Sequence, residues 1–266
     1  MCAPEWRIRR NLRSTRNLAA WLRCALCRNG HLDPNMNRTL AIGDIHGCID
    51  ALLTLERFVG FHCTDTIVTL GDYIDRGPDS CAVIDWLLHA QKKLSLRPLR
   101  GNHDIMMVES RTKRENMRDW MAAGGESTLR SYSPFDDDRG SLVDVPDSHW
   151  DFLENQLLSY YETENHFFVH ANALPEIPLS EQPAFYLYWQ DFGDPCRHEC
   201  GKVMVCGHSS QKSGLPKSNG DAICIDTFVY GDGWLSCLDV ETCMVWQSNE
   251  NGETRQFHLD ENEISS

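Results

Sequence analysis

The sequence predicts an α/β fold with parallel strand pairing, on two observations. Between Thr39 and Leu99, short apolar runs alternate with stretches whose apolar residues recur at helical spacing. A small polar cluster rich in Gly, Asp and His follows each run, where sites form in open α/β sheets, beyond the carboxyl ends of strands.

The elements follow in order. Thr39–Gly43 reads as a buried strand, and Ile49–Val59 as a helix carrying Leu52, Leu53, Leu55, Phe58 and Val59. Thr66–Leu70 is a second strand. Asp79 or Ser80 caps a helix bearing Val83, Ile84, Leu87 and Leu88. Leu96–Leu99 is a third strand. Residues 105–160 read as mainly helical and polar, broken at Gly124-Gly125, with a turn-rich acidic loop at Ser133–Gly140. Strands then dominate: His166–Val169, Lys202–Cys206, Ala222–Ile225, and a hairpin of Trp234–Leu238 with Cys243–Trp246. The expected organisation is a basic, poorly ordered extension over 1–37, a catalytic domain over 38–248 and a polar, frayed tail over 249–266.

Bulk properties narrow the function. The net charge of −14 argues against nucleic-acid and anionic-membrane partners, because phosphate repels such a surface. A phosphate substrate is still compatible, since bound divalent cations reverse the local field of a carboxylate site. The 12 Cys are scattered, several inside apolar runs (Cys206, Cys224, Cys237), and read as reduced thiols of a cytoplasmic protein. Cys24/Cys27 and Cys196/Cys200 have zinc-like spacing, but neither has a matching second pair. No segment is long and apolar enough for a membrane helix. Arg23 interrupts the apolar stretch after the basic N-terminus too early for a signal peptide, and translation beginning at Met36 would still include the first strand.

Five clusters carry the chemistry: Gly43-Asp44-Ile45-His46-Gly47, Gly71-Asp72-Tyr73-Ile74-Asp75-Arg76-Gly77, Gly101-Asn102-His103-Asp104, Val169-His170-Ala171 and Gly207-His208-Ser209. Oxygen and imidazole donors without thiolate favour Mn, Fe or Zn in a reactive site over a Cys-rich structural zinc. Asp44 and His46 are two apart, so on extended backbone they point to one side and can share an ion. Asp72, with two carboxylate oxygens, can bridge to a second ion completed by Asn102, His170 and His208. Two such ions clamp the attacking and leaving oxygens of an in-line displacement. Each residue alone has a bland reading: Asp44, Asp72 and Asn102 as turn residues, His170 as a core histidine, Arg76 as half of a surface ion pair. The ordered set is what outweighs these. His31, His62, His89, His149, His166 and His258 match no motif and are read as structural.

From about Thr39 to Trp246, these clusters in this order resemble the phosphoprotein phosphatase family of the calcineurin-like metallophosphatases, in its bacterial serine/threonine phosphatase form. The resemblance implies a central β-sandwich of mixed sheets flanked by helices, with a dinuclear metal site at the strand ends. It implies that Asp44 and His46 bind the first metal, Asp72 bridges, and Asn102, His170 and His208 bind the second. His103 would protonate the leaving group, oriented by Asp75. Arg76 would hold the substrate phosphate as a bidentate fork, with Asn102 beside it. The expected activity is removal of phosphate from phosphoserine or phosphothreonine by a metal-bridging hydroxide, with two divalent ions of the Mn type, or Fe or Zn. The alternative is a dinucleoside-polyphosphate or other small-molecule phosphohydrolase; a third reading is a non-catalytic phosphatase-fold binding module.

Two departures bear on substrate. Asp104 stands where the family commonly has Glu, as it does in relatives that cleave diadenosine tetraphosphate symmetrically; those relatives usually lack the Asp75-Arg76 pair. A second phosphate-binding Arg is expected after Trp189 but Asp191 occupies the place, leaving Arg197 as the substitute. Oligomeric state is not legible in the sequence.

Overall fold

The central strands are short, mostly apolar runs buried almost throughout, so each must be covered on both faces. The computed structural model describes residues 37–113, 115–135 and 140–259. In chain order these form β1 (Thr39–Ile42), α1 (Ile49–Val59), β2 (Thr66–Thr69), α2 (Ser80–Ala90), β3 (Ser95–Pro98), α3 (Asn102–Thr112), α4 (Asn116–Trp120), a π-helical turn (Met121–Gly125), α5 (Glu126–Tyr132), α6 (Asp147–Asp151), β4 (Tyr161–Glu162), β5 (His166–Phe168), α7 (Ala184–Trp189), β6 (Val203–Cys206), β7 (Lys217–Ser218), β8 (Ala222–Cys224), β9 (Asp226–Thr227), β10 (Trp234–Asp239), β11 (Met244–Ser248) and β12 (Thr254–His258).

The strands make two mixed sheets. One is seven-stranded in the order β12-β11-β10-β1-β2-β3, with β9 also on β10; the other is five-stranded, β4-β5-β6-β8-β7. β1, β2 and β3 are mutually parallel, as are β5, β6 and β8. Ala41, Val68, Leu238 and Val245 of the first sheet meet Phe168, Val205 and Ile223 of the second in one buried cluster. This is a β-sandwich core. The alternate residues Phe167, Met204, Cys206, Ala222 and Cys224 face the other way, under Leu187 and Tyr188 of α7. On the first sheet, α1 lies against β10 and β11 and buries Leu52 and Leu55 completely. Such a leucine contributes about 1.5–3 kcal/mol over an exposed one.

The expected hairpin forms, with Cys237 opposite Trp246. The expected polar tail does not begin at 249. Residues 249–253 turn, and Thr254–His258 pairs with β11 as an edge strand. Its alternation is weak because one face is solvated, and Phe257 and Leu259 anchor it to the core. The basic segment, Met36 and Cys24/Cys27 lie outside the described residues, as do residues 136–139 of the acidic loop and 260–266. No helix among the described residues is long and apolar enough to cross a membrane.

Candidate active site

Two sets of three parallel strands, one in each sheet, carry the candidate residues just beyond their carboxyl ends. Asp44 follows β1, Asp72 follows β2, Asn102 opens α3 after β3, His170 follows β5, His208 follows β6 and Asp226 opens β9 after β8. Two glycines permit the approach. A Cβ on Gly207 would overlap the Asp44 carboxylate, and one on Gly101 would overlap Asp72.

Asp72 is the hub. Its Oδ2 faces His46 Nε2 at 3.6 Å and His103 Nε2 at 4.0 Å; its Oδ1 faces His170 Nε2 at 3.5 Å. Oδ1 also accepts the His103 backbone N–H at 2.9 Å, at the N-terminus of α3, where the helix dipole favours negative charge. Burial raises the proton affinity of Asp72, but His170, His103, His46 and His208 overcome it and hold the carboxyl well below its usual range. Two groups of side chains close enough to hold a cation share this residue: His46, Asp72 and His103, and Asp72, His170 and His208.

The tautomers make the donor set specific. His46 Nδ1 is on the Ile74 carbonyl at 2.9 Å and His170 Nδ1 on the Leu70 carbonyl at 2.8 Å. Each Nδ1 therefore carries the hydrogen, and each Nε2 presents a lone pair. His208 is hydrogen-bonded to the Trp189 backbone and turns Nδ1 to Asn102 Oδ1 at 3.0 Å; His170 Nε2 is 2.9 Å from the same oxygen. Burial lowers the pKa of His46, His170 and His208, so all three favour the neutral ring. At His170, whose Nδ1 hydrogen is on Leu70, the Nε2 lone pair thus meets the Asn102 and Asp72 oxygens with no proton between them, an arrangement that fits a divalent cation. Among the described residues no such group forms around Cys196 and Cys200, nor around His62, His89, His149, His166 or His258; His31 lies outside them.

Asp44 departs from the expected arrangement. His46 adopts a left-handed φ of 46°, because the Ile45 and His46 N–H groups both curl onto the Asp72 carbonyl. The backbone at His46 is therefore not the extended one that the two-residue spacing assumed. Asp44 instead accepts the His208 N–H on both oxygens, at 3.2 and 3.0 Å. Burial, then Asp226 and Asp72, push its pKa well up. A nearby cation would relieve that crowding of carboxylates.

His103 differs from the other rings. Its Nδ1 donates to Asp75 Oδ2 at 2.7 Å. Burial opposes its charged form, but Asp72 and then Asp75 outweigh it and the pKa is raised. A charged imidazole is a proton donor rather than a ligand. Arg76 donates from Nη1 to His46 Nε2 at 2.8 Å and stacks 4.4 Å from the Tyr230 ring centroid. Asp104 accepts the N–H groups of Asp72, Tyr73 and Gly101 at 3.1, 3.2 and 2.9 Å, so it ties the Asp72 loop to the start of α3. Arg197 lies elsewhere: it is exposed, bonding the Gly201 carbonyl at 3.0 Å and lying 3.7 Å from Asp221. Asp191 acts on His208 as an added negative charge in the place where an arginine was sought.

Sequence reading missed Asp226, Tyr230, Trp120 and Thr128. Asp226 is buried, accepting from Ser210 Oγ and the Phe228 N–H at 2.6 and 3.0 Å. Its one available signal was its place directly after the apolar run Ala222–Ile225.

With two mixed sheets, flanking helices and an Asp/His/Asn cluster past the strand ends, the molecule has the architecture and donor set of a metal-dependent phosphoesterase. The family model for calcineurin-like phosphoesterases matches residues 37–235, and the chain belongs to that family. Among curated relatives, it is 31% identical over 146 residues to a symmetrical bis(5'-nucleosyl)-tetraphosphatase of Nitrosomonas europaea, covering 54% of this chain and 47% of that one. It is 33% identical over 93 residues to serine/threonine-protein phosphatase 1 of Salmonella typhimurium, covering 35% and 41%. The matched stretches span less than half the length of these relatives. A crystal structure of a candidate diadenosine tetraphosphatase superposes with a TM-score of 0.57 at 22% identity, over 84% of this chain and 95% of that one. A cold-active protein-tyrosine phosphatase of a psychrophilic Shewanella gives 0.54 at 15%, over 83% and 80%. These two likenesses concern the fold.

Proposed function

We propose that this phosphoesterase hydrolyses the phosphoanhydride of a small dinucleoside polyphosphate, of the diadenosine tetraphosphate type. The observation carrying the hydrolytic reading is the set of unprotonated lone pairs turned toward Asp72 and Asn102. His46 and Asp72, with Asp44 nearby, would hold one cation; Asp72, Asn102, His170 and His208 would hold the other. Bound there, two ions of the Mn, Fe or Zn kind supply a water of lowered pKa and neutralise charge on the phosphoryl oxygens.

The chain's own groups do the rest. Asp75 accepts the Nδ1–H hydrogen bond of His103 at 2.7 Å, which leaves the Nε2 proton for the leaving oxygen. As a water oxygen forms its bond to phosphorus, the bond to the leaving oxygen breaks. That oxygen keeps the electron pair and takes the His103 proton. Arg76 is exposed at the rim and can swing from His46 to grip phosphate oxygens with its fork.

The substrate class is supported by the names of several curated relatives, symmetrical bis(5'-nucleosyl)-tetraphosphatases, and by Asp104 in place of Glu. The second reading, a phosphoserine/phosphothreonine phosphatase, is favoured by the adjacent Asp75 and Arg76 and by the Salmonella relative. Turnover of diadenosine tetraphosphate against a phosphoserine peptide, with the manganese-loaded full chain, separates them. We expect two ADP per substrate and at least tenfold higher kcat/KM for the dinucleotide, against a diffusional ceiling of ~10⁸–10⁹ M⁻¹s⁻¹. Faster dephosphorylation of the peptide would transfer the assignment to the second reading. Inactivity toward both, and toward p-nitrophenyl phosphate, would make the chain a binding module.

A further inference from the structure

Asp75 is wholly buried and its carboxylate is gripped from three sides. His103 Nδ1 is at 2.7 Å from Oδ2. Trp120 Nε1 reaches both oxygens, at 3.0 and 2.9 Å, and Thr128 Oγ1 donates to Oδ1 at 2.6 Å. Thr128 Oγ1 also accepts the Asp75 backbone N–H at 2.8 Å, and Ser80 Oγ accepts it at 3.1 Å. A carboxylate has a soft terminal torsion. With His103 as its only side-chain partner, Asp75 could rotate and the imidazole would follow. Donors on both oxygens fix the carboxylate plane, and through it the direction of His103 Nε2.

The local fold shows why the two donors arrive together. Trp120 ends α4 and Thr128 sits in α5, joined by the segment Met121–Gly125, which kinks at Gly124. Gly124 there has φ 119°, a conformation no side chain tolerates well, and its carbonyl accepts the Arg76 N–H at 3.3 Å. A Cβ on Gly124 would crowd the Arg76 side chain, and one on Gly125 would strike the Trp120 ring. Here two helical stretches that meet at a kink grip Asp75 from both flanks, and the kink itself holds the Arg76 backbone.

We infer that Trp120 and Thr128 are positioning residues for general-acid catalysis: they lock Asp75 so that it aims His103 at the leaving oxygen. The inference rests on the reading of His103 as the acid. It predicts a leaving-group signature, because an acid matters greatly for a basic leaving oxygen and little for p-nitrophenolate.

The test measures kcat and KM on phenyl phosphate and p-nitrophenyl phosphate with the manganese-loaded full chain, for Trp120→Phe, Thr128→Val, Thr128→Ser and the reference His103→Asn. General-acid catalysis is worth roughly 10²–10⁴-fold, so His103→Asn should lose about a hundredfold more kcat on phenyl phosphate than on p-nitrophenyl phosphate. Trp120→Phe and Thr128→Val should show the same selectivity at about tenfold, in kcat and not KM, and Thr128→Ser should restore it. Equal losses on both substrates would mean that Trp120 and Thr128 merely support the fold. No selectivity in His103→Asn would overturn the reading of His103 itself, and the inference with it. Should Trp120→Phe fail to fold, the Thr128 pair decides alone, since valine and serine differ from threonine by one group each.

Discussion

The two halves of the metal cluster are built differently. On one side, His170 and His208 crowd around Asn102 Oδ1 at 2.9 and 3.0 Å, and each ring is pinned by a backbone hydrogen bond. On the other side, His46 is pinned by the Ile74 carbonyl, but its free lone pair is taken by Arg76. The first half is preformed, with its donors already close enough together to hold a cation. In the second, the Arg76 guanidinium sits on His46 Nε2 and would have to turn aside for a metal to reach that nitrogen. The difference teaches that preorganisation here stops at Asp72. Beyond it, a metal would compete with the Arg76 guanidinium for His46 Nε2.

The largest expected effect comes from removing what both halves share. Asp72→Asn should cut turnover on the order of a thousandfold and lower bound manganese at both positions, as read by elemental analysis of the purified protein. Two full equivalents of metal in that variant would remove Asp72 as the bridge.

A smaller and one-sided effect is expected from Arg76→Ala. It should weaken kcat/KM by about a hundredfold through the lost phosphate contact. Manganese should nonetheless bind more tightly to the His46 half, with the His170–His208 half unchanged. Calorimetric titration resolves two binding steps, and identical steps in both proteins would show that Arg76 does not compete.

The smallest effect tests the joint between the halves. Asp104→Asn weakens three backbone hydrogen bonds around Asp72 and Gly101 and should cost about 1–3 kcal/mol. For a chain of this size that is ~2–4 °C in Tm per kcal/mol. An unaltered melting curve would mean that the loop holds its shape without Asp104.

The strand-end clusters were legible because a glycine, an acidic or amide group and a histidine recur directly after apolar runs. Asp72, Asn102, His170 and His208 meet through that regularity. The strands Thr39–Ile42 and Thr66–Thr69 were equally plain, being apolar and flanked by turns. Thr254–His258 was not, because an edge strand with one wet face carries almost no pattern. Trp120 and Thr128 were illegible for another reason. They act on Asp75 across 45 and 53 residues of chain, and a tryptophan or threonine in a helix is ordinary until its partner is seen. The two-residue argument for Asp44 and His46 failed on backbone conformation, since it assumed an extended segment where His46 is left-handed. Arg197 followed from nearness in sequence, which its exposed loop does not convert into nearness in space.

The absence of a side chain at Gly207 and Gly101 sets the clearance between neighbouring loops. Neither glycine donates a ligand or a proton, yet a single methyl at either would wedge Asp44 or Asp72 out of position. A saturation screen scored on hydrolysis should therefore find these two sites as intolerant as the histidines. Alanine there would leave every reactive group in the chain and still silence it.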